Sequence, residues 1–203
     1  VYGGGAIASV GNYNLSDQAN PVVGNSGNAE VNILGGTIGV DGNENGMVYG
    51  SGRGEIDAPD AFMDSLSFVA TSTVNIGSGT VNPTTGEATN LSGNAKVKGS
   101  VYGSGENGHV YAQTTVNIFG GTIGCESYDP EHPDPYFANR GNVYGAGCGT
   151  DTYRVGNVEK YNPMSGIVYG NTNINIYGGY ISRNVYGGGA MASVGLHTAT
   201  PRH

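Results

Sequence analysis

The chain has 203 residues, of which 38 are Gly, none is Trp and only 12 % are charged. Its net charge of −8 leaves too few Lys and Arg to neutralise many phosphates, which argues against nucleic acid as a partner. No apolar run approaches the roughly 18–20 residues of a membrane span, and Gly without a three-residue period, with only 8 Pro, excludes collagen.

Short apolar clusters recur along the chain between Gly-rich stretches. Val1-Tyr-Gly-Gly-Gly-Ala-Ile-Ala-Ser-Val-Gly11 opens it, followed by Val31-Asn-Ile-Leu-Gly-Gly-Thr-Ile-Gly39 and Val48-Tyr-Gly50. A second round reads Phe68-Val-Ala-Thr71, Val74-Asn-Ile-Gly-Ser-Gly-Thr-Val81 and Val101-Tyr-Gly103. A third reads Val110-Tyr-Ala-Gln113, Val116-Asn-Ile-Phe-Gly-Gly-Thr-Ile-Gly124 and Val143-Tyr-Gly145. The fourth reads Val168-Tyr-Gly-Asn171 and Ile174-Asn-Ile-Tyr-Gly-Gly-Tyr-Ile181. It closes on Val185-Tyr-Gly-Gly-Gly-Ala-Met-Ala-Ser-Val-Gly195, the opening segment with Met191 for Ile7. The spacer between the Asn motif and the next Val-Tyr-Gly varies from 11 to 27 residues.

Val-Asn-Ile alternates apolar and polar with the period of a strand that buries one face, and the Gly runs supply sharp turns. Asn173–Val194 holds three such strands, near Ile174–Ile176, Tyr180–Ile181 and Val185–Tyr186, in 22 residues. The expected fold is all-β: a right-handed parallel β-solenoid, or β-helix, of about four coils with loop insertions. It forms one domain over residues 1–195, followed by a tail at 196–203. Because both ends carry the same motif, the chain reads as a slice of a longer array. A kelch-like β-propeller fragment is the alternative, since Asn-motif intervals of 43 and 42 residues match one blade.

Stacked repeats place like residues above one another about 4.8 Å apart. Val31, Ile33, Val74, Ile76, Val116, Ile118, Ile174 and Ile176 are expected to be buried. Asn32, Asn75, Asn117 and Asn175 then form an amide ladder. Tyr2, Tyr49, Tyr102, Tyr144 and Tyr186 align likewise, and Gly50–Ala70, Thr80–Gly99 and Gly124–Asn142 become projecting loops.

The pairing of Val-Tyr-Gly-Gly-Gly with Val-Asn-Ile-x-Gly-Gly-Thr-Ile resembles the β-helical repeats of large bacterial surface and adhesin-like proteins. That resemblance implies a non-enzymatic structural or adhesive segment of a secreted or cell-surface protein. Its partners would be further repeats of the parent chain or other copies of itself, and carbohydrate or a host surface. The same fold hosts polysaccharide lyases and hydrolases, so a carbohydrate-active enzyme with its site on the long loops is the alternative.

Candidate site residues are few. Asp41, Asn43 and Asn45 match the first half of a calcium loop, making calcium the one cofactor the sequence suggests. Gly52 stands where the closing Glu of an EF-hand belongs, and the stretch reads equally as an Asn/Gly corner without an ion. Tyr49, Tyr102, Tyr144 and Tyr186 suit a carbohydrate platform or a self-packing aromatic column. Cys125 and Cys148 could close the base of a loop by a disulfide or lie as two small buried residues. Gly103-Ser-Gly-Glu-Asn-Gly108 matches the dinucleotide-binding pattern, but a strand sequence follows it where a helix is required. Tyr128–Tyr136 gathers acids and a His in a Pro-rich loop, and Asp57 or Asp60 suits a helix cap. No catalytic residues are assigned.

Overall fold

The computed structural model describes residues 1–11, 13–14, 22–23, 27–40, 45–55, 67–124, 140–150, 152–162 and 164–195. Among these, all regular structure is strand. In chain order the strands are β1 (Tyr13–Asn14), β2 (Val22–Val23), β3 (Asn28–Ile33), β4 (Thr37–Ile38), β5 (Val48–Tyr49) and β6 (Phe68–Ile76). There follow β7 (Ser78–Val81), β8 (Ala88–Ser92), β9 (Lys96–Val97), β10 (Val101–Tyr102), β11 (His109–Ile118) and β12 (Thr122–Ile123). The last are β13 (Val143–Tyr144), β14 (Tyr153–Val155), β15 (Val158–Lys160), β16 (Asn171–Ile176), β17 (Tyr180–Ile181) and β18 (Val185–Tyr186).

Three four-stranded parallel sheets carry the architecture, ordered β3-β6-β11-β16, β4-β9-β12-β17 and β5-β10-β13-β18. Each sequence repeat therefore donates one strand to each sheet. The register sets like on like: Val31, Val74, Val116 and Ile174 are partners, as are Asn32, Asn75, Asn117 and Asn175. One further bridge, Tyr2 to Tyr49, continues the third sheet beyond β5. Antiparallel pairs β1–β2, β7–β8 and β14–β15 are inserted between strands of these sheets.

The alternation explains the core. Val31, Val74, Ile76, Val116 and Ile118 point inward from the first sheet and meet Val97 and Ile123 from the second. Val48, Val101 and Val143 complete the cluster from the third. Burying each such side chain contributes about 1.5–3 kcal/mol. A second cluster joins Ala29, Val69, Val110, Ala146 and Val168. The Gly of Val-Tyr-Gly is required by close approach: a Cβ on Gly103 would lie 2.2 Å from the Gly145 carbonyl oxygen. No helix among the described residues is long and apolar enough to cross a membrane.

The expectation of a right-handed parallel β-solenoid is corrected by this arrangement. The described residues form several short parallel sheets, two of them built from strands of two residues, interleaved with antiparallel pairs. Gly turns and unequal insertions break up any longer run of pairing. The kelch-like propeller is corrected too, because a blade pairs consecutive strands antiparallel. Here the neighbours within each four-stranded sheet are parallel and come from successive repeats.

Three local readings also change. Thr80–Gly99 is not a plain loop: it contributes to the β7–β8 hairpin and holds β9, so Lys96-Val97 occupies the place of Thr-Ile in the first and third repeats. Val69, not Phe68, pairs with Val110, because β11 carries one extra residue between Val110 and Gln113. Ile176 is 50 % exposed rather than buried, since no further strand among the described residues covers β16. The middle of the first expected loop and most of the third (residues 56–66 and 125–139), the acidic Tyr128–Tyr136 stretch, Asp57, Asp60 and the tail at 196–203 lie outside the described residues.

Candidate functional site

The parallel register gives this molecule two ladders that run across all four repeats. In the first, Asn75 Nδ2 donates to Asn32 Oδ1, Asn117 Nδ2 to Asn75 Oδ1 and Asn175 Nδ2 to Asn117 Oδ1, each at 2.8 Å. The amides all point the same way, so the ladder is polar. It begins at Asn32, whose Nδ2 donates to Glu30 Oε1 at 3.1 Å, and ends at the Asn175 oxygen.

The second ladder is aromatic. Tyr2, Tyr49, Tyr102, Tyr144 and Tyr186 stack with ring centroids 4.9, 5.0, 4.8 and 5.0 Å apart and planes within 17° of parallel. Strand spacing imposes that distance, and offset stacking makes it favourable. The middle rings, Tyr49 and Tyr102, are buried, whereas Tyr2 and Tyr186 are exposed. The ladder therefore offers open ring faces at its ends rather than one continuous platform. Shorter aromatic contacts accompany it: Phe119 stacks on Tyr177, and Phe68 stacks on Tyr169 and meets His109 at a tilt.

Polar groups beside the tyrosines are tied up locally. The Tyr2 hydroxyl donates to Glu106 Oε2 at 2.5 Å. Burial first, then that hydrogen bond and the Glu106 charge, push the Tyr2 phenol well above its ordinary range. Burial likewise drives the Tyr102 phenol far above its usual value, with Cys148 and the neighbouring tyrosines adding to the rise. Burial also raises the half-buried Cys148 thiol, and a hydrogen bond with Tyr102 opposes that rise.

Of the residues singled out from the sequence, Tyr49, Tyr102, Tyr144 and Tyr186 are brought together by one sheet, with Cys148 against Tyr102. Asp41, Asn43 and Cys125 lie outside the described residues. Asn45 Oδ1 accepts from the Val40 backbone N–H at 2.9 Å, which closes a turn. Among the described residues no three His, Cys, Asp or Glu side chains gather as metal ligands. The Gly103–Gly108 segment leads into β11, not a helix, and its Asn107 is a connector. Asn107 Oδ1 accepts from Thr150 Oγ1 at 2.6 Å and from Ser165 Oγ at 2.5 Å. Sequence reasoning missed this connector, whose only trace is a polar residue within a Gly-rich turn.

What remains functionally distinctive is the pair of sheet edges. At one, β16, β17 and β18 expose Ile176, Tyr180, Val185 and Tyr186. At the other, Val1, Tyr2 and Leu34 are exposed. Such edges present backbone donors and acceptors as a template for another strand.

No protein-family model matches the chain, and no curated protein or solved structure does either.

Proposed function

We propose that this chain is a non-catalytic structural repeat segment of a secreted or cell-surface protein, which lengthens its parallel sheets by joining further repeats or further copies of itself edge to edge. One observation carries the reading. The apolar and aromatic positions that inner repeats bury, such as Val101, Tyr102 and Ile118, are exposed where they recur at an edge, as Val185, Tyr186 and Ile176. A strand added at that edge would cover them and satisfy its backbone groups at once. The extracellular placement and the adhesive role rest on the sequence resemblance of Val-Tyr-Gly-Gly-Gly and Val-Asn-Ile-x-Gly-Gly-Thr-Ile. Sedimentation velocity over a wide concentration range tests the association. The expected result is a sedimentation coefficient that rises with concentration, and a strictly monomeric particle throughout would overturn the reading.

A further inference from the structure

Val1–Gly11 and Val185–Gly195 differ only at Ile7 and Met191, yet they attach to the molecule by opposite edges. On the first segment, Val1 O accepts from Tyr49 N and Gly3 N donates to Tyr49 O, both at 2.9 Å. Gly5 O accepts from Arg53 N at 3.1 Å and Ala6 O from Gly54 N at 2.9 Å, while Val10 N donates to Phe68 O at 2.9 Å. The last segment uses other groups. Asn184 O, Tyr186 O and Gly188 O accept from Val143, Gly145 and Ala146 at 3.0, 2.9 and 3.1 Å. Ala190 N and Met191 N donate to Gly147 O and Cys148 O at 3.1 and 2.7 Å, and Ser193 O and Gly195 N bond Val168 at 3.1 and 2.8 Å. The groups that hold Val1–Gly11 correspond to Val185 O, Gly187 N, Gly189 O, Ala190 O and Val194 N. None of these appears in the second set.

From this complementarity we infer that Val185–Gly195 of one copy takes the seat that Val1–Gly11 holds on the next copy, displacing it while keeping its own bonds. The inference rests on the edge-to-edge association proposed above and specifies its joint. Strand counts favour replacement over simple abutment. With Tyr2 included, the third sheet has one more level than the other two. Laying Tyr186 against Tyr2 would therefore leave the other sheets one strand short at the joint. Replacement brings β16 beside β3, β17 beside β4 and β18 beside β5 of the next copy, and all three sheets run on. Tyr186 then stacks on the next Tyr49 as Tyr2 does. The Asn175 oxygen meets the next Asn32 amide, so the polar ladder continues head to tail. Such a heterologous joint does not close on itself and yields a filament, with four strands per sheet and a rise of roughly 19 Å per copy.

The glycine column supplies a clean test. A Cβ on Gly3 would lie 2.3 Å from Gly50 O, and one on Gly4 would lie 2.7 Å from Gly52 N. At the matching Gly187 and Gly188, nothing among the described residues lies within 4 Å. Gly187→Ala, and Gly188→Ala as a second variant, should therefore leave the circular dichroism spectrum and melting temperature of the dilute chain unchanged. In sedimentation, each should weaken association by at least about tenfold, a loss of ~1.4 kcal/mol. If both variants associate as the wild type does, the strand exchange is wrong and the edge-to-edge reading stands. If the wild type itself never associates, both fall.

Discussion

Val143 and Val185 occupy the same position in adjacent strands of one sheet, yet Val143 is fully buried and Val185 is 42 % exposed. Ile118 and Ile176 show the same contrast in another sheet, at 0 % and 50 %. Residue type and local backbone are matched within each pair; what differs is a neighbour on the far side. Burial here is supplied by the next repeat, so the inner repeats hold the stability and the outer ones leave apolar and aromatic side chains open. Stability of such an array is a sum of nearest-neighbour terms.

Several substitutions break or sharpen that contrast. The largest effect is expected for Ile118→Ala, which empties a fully buried site and should cost about 2–5 kcal/mol in denaturant unfolding. Ile176→Ala at the edge should cost under about 1 kcal/mol. Equal losses would remove the distinction between inner and outer repeats. Next comes Gly103→Ala, whose new methyl meets the Gly145 carbonyl and should cost about 1–3 kcal/mol, against no change for Gly187→Ala. Asn117→Ala removes two ladder hydrogen bonds and Asn175→Ala one. At about 1 kcal/mol per bond, thermal unfolding should rank the inner variant lower.

The smallest effect concerns pH. The Tyr102 phenol is raised in the folded chain above its unfolded value of 10.0, so the folded state favours the protonated form. Its contribution is complete below pH 10 and is lost as pH rises beyond it. Chemical denaturation should therefore show stability falling above about pH 10, and falling less steeply in Tyr102→Phe. A variant with the wild-type pH profile would show that the buried ring does not sense alkaline pH.

Much of the strand pattern was legible because Val-Asn-Ile repeats with period two and the Gly-Gly runs mark its ends. That pattern announces which side chains face inward and that like residues align. It does not announce where Lys96-Val97 lies, because that strand lacks the Gly-Gly-Thr-Ile signature. Gly79-Thr-Val81 mimics the signature, but falls in the β7–β8 hairpin. The extra residue after Val110 was also invisible, since equal sequence spacing on β6 and β11 suggested equal register. The Tyr102–Cys148 contact joins residues far apart in the chain, and no local pattern marks it.

The sequence by itself determined the chemistry of the strands: all-β structure, an apolar face, an Asn and a Tyr at fixed offsets, and Gly wherever two backbones nearly touch. Those properties follow from alternation and side-chain size, which act within a few residues. Only the tertiary structure decided the sheets, which came out as several short parallel ones with antiparallel pairs inserted, in place of the expected coil. It also decided which copies of a motif are buried, because burial belongs to a pair of neighbouring strands rather than to either one. For the same reason, two nearly identical segments came to use opposite hydrogen-bonding edges, Val1–Gly11 on one side and Val185–Gly195 on the other.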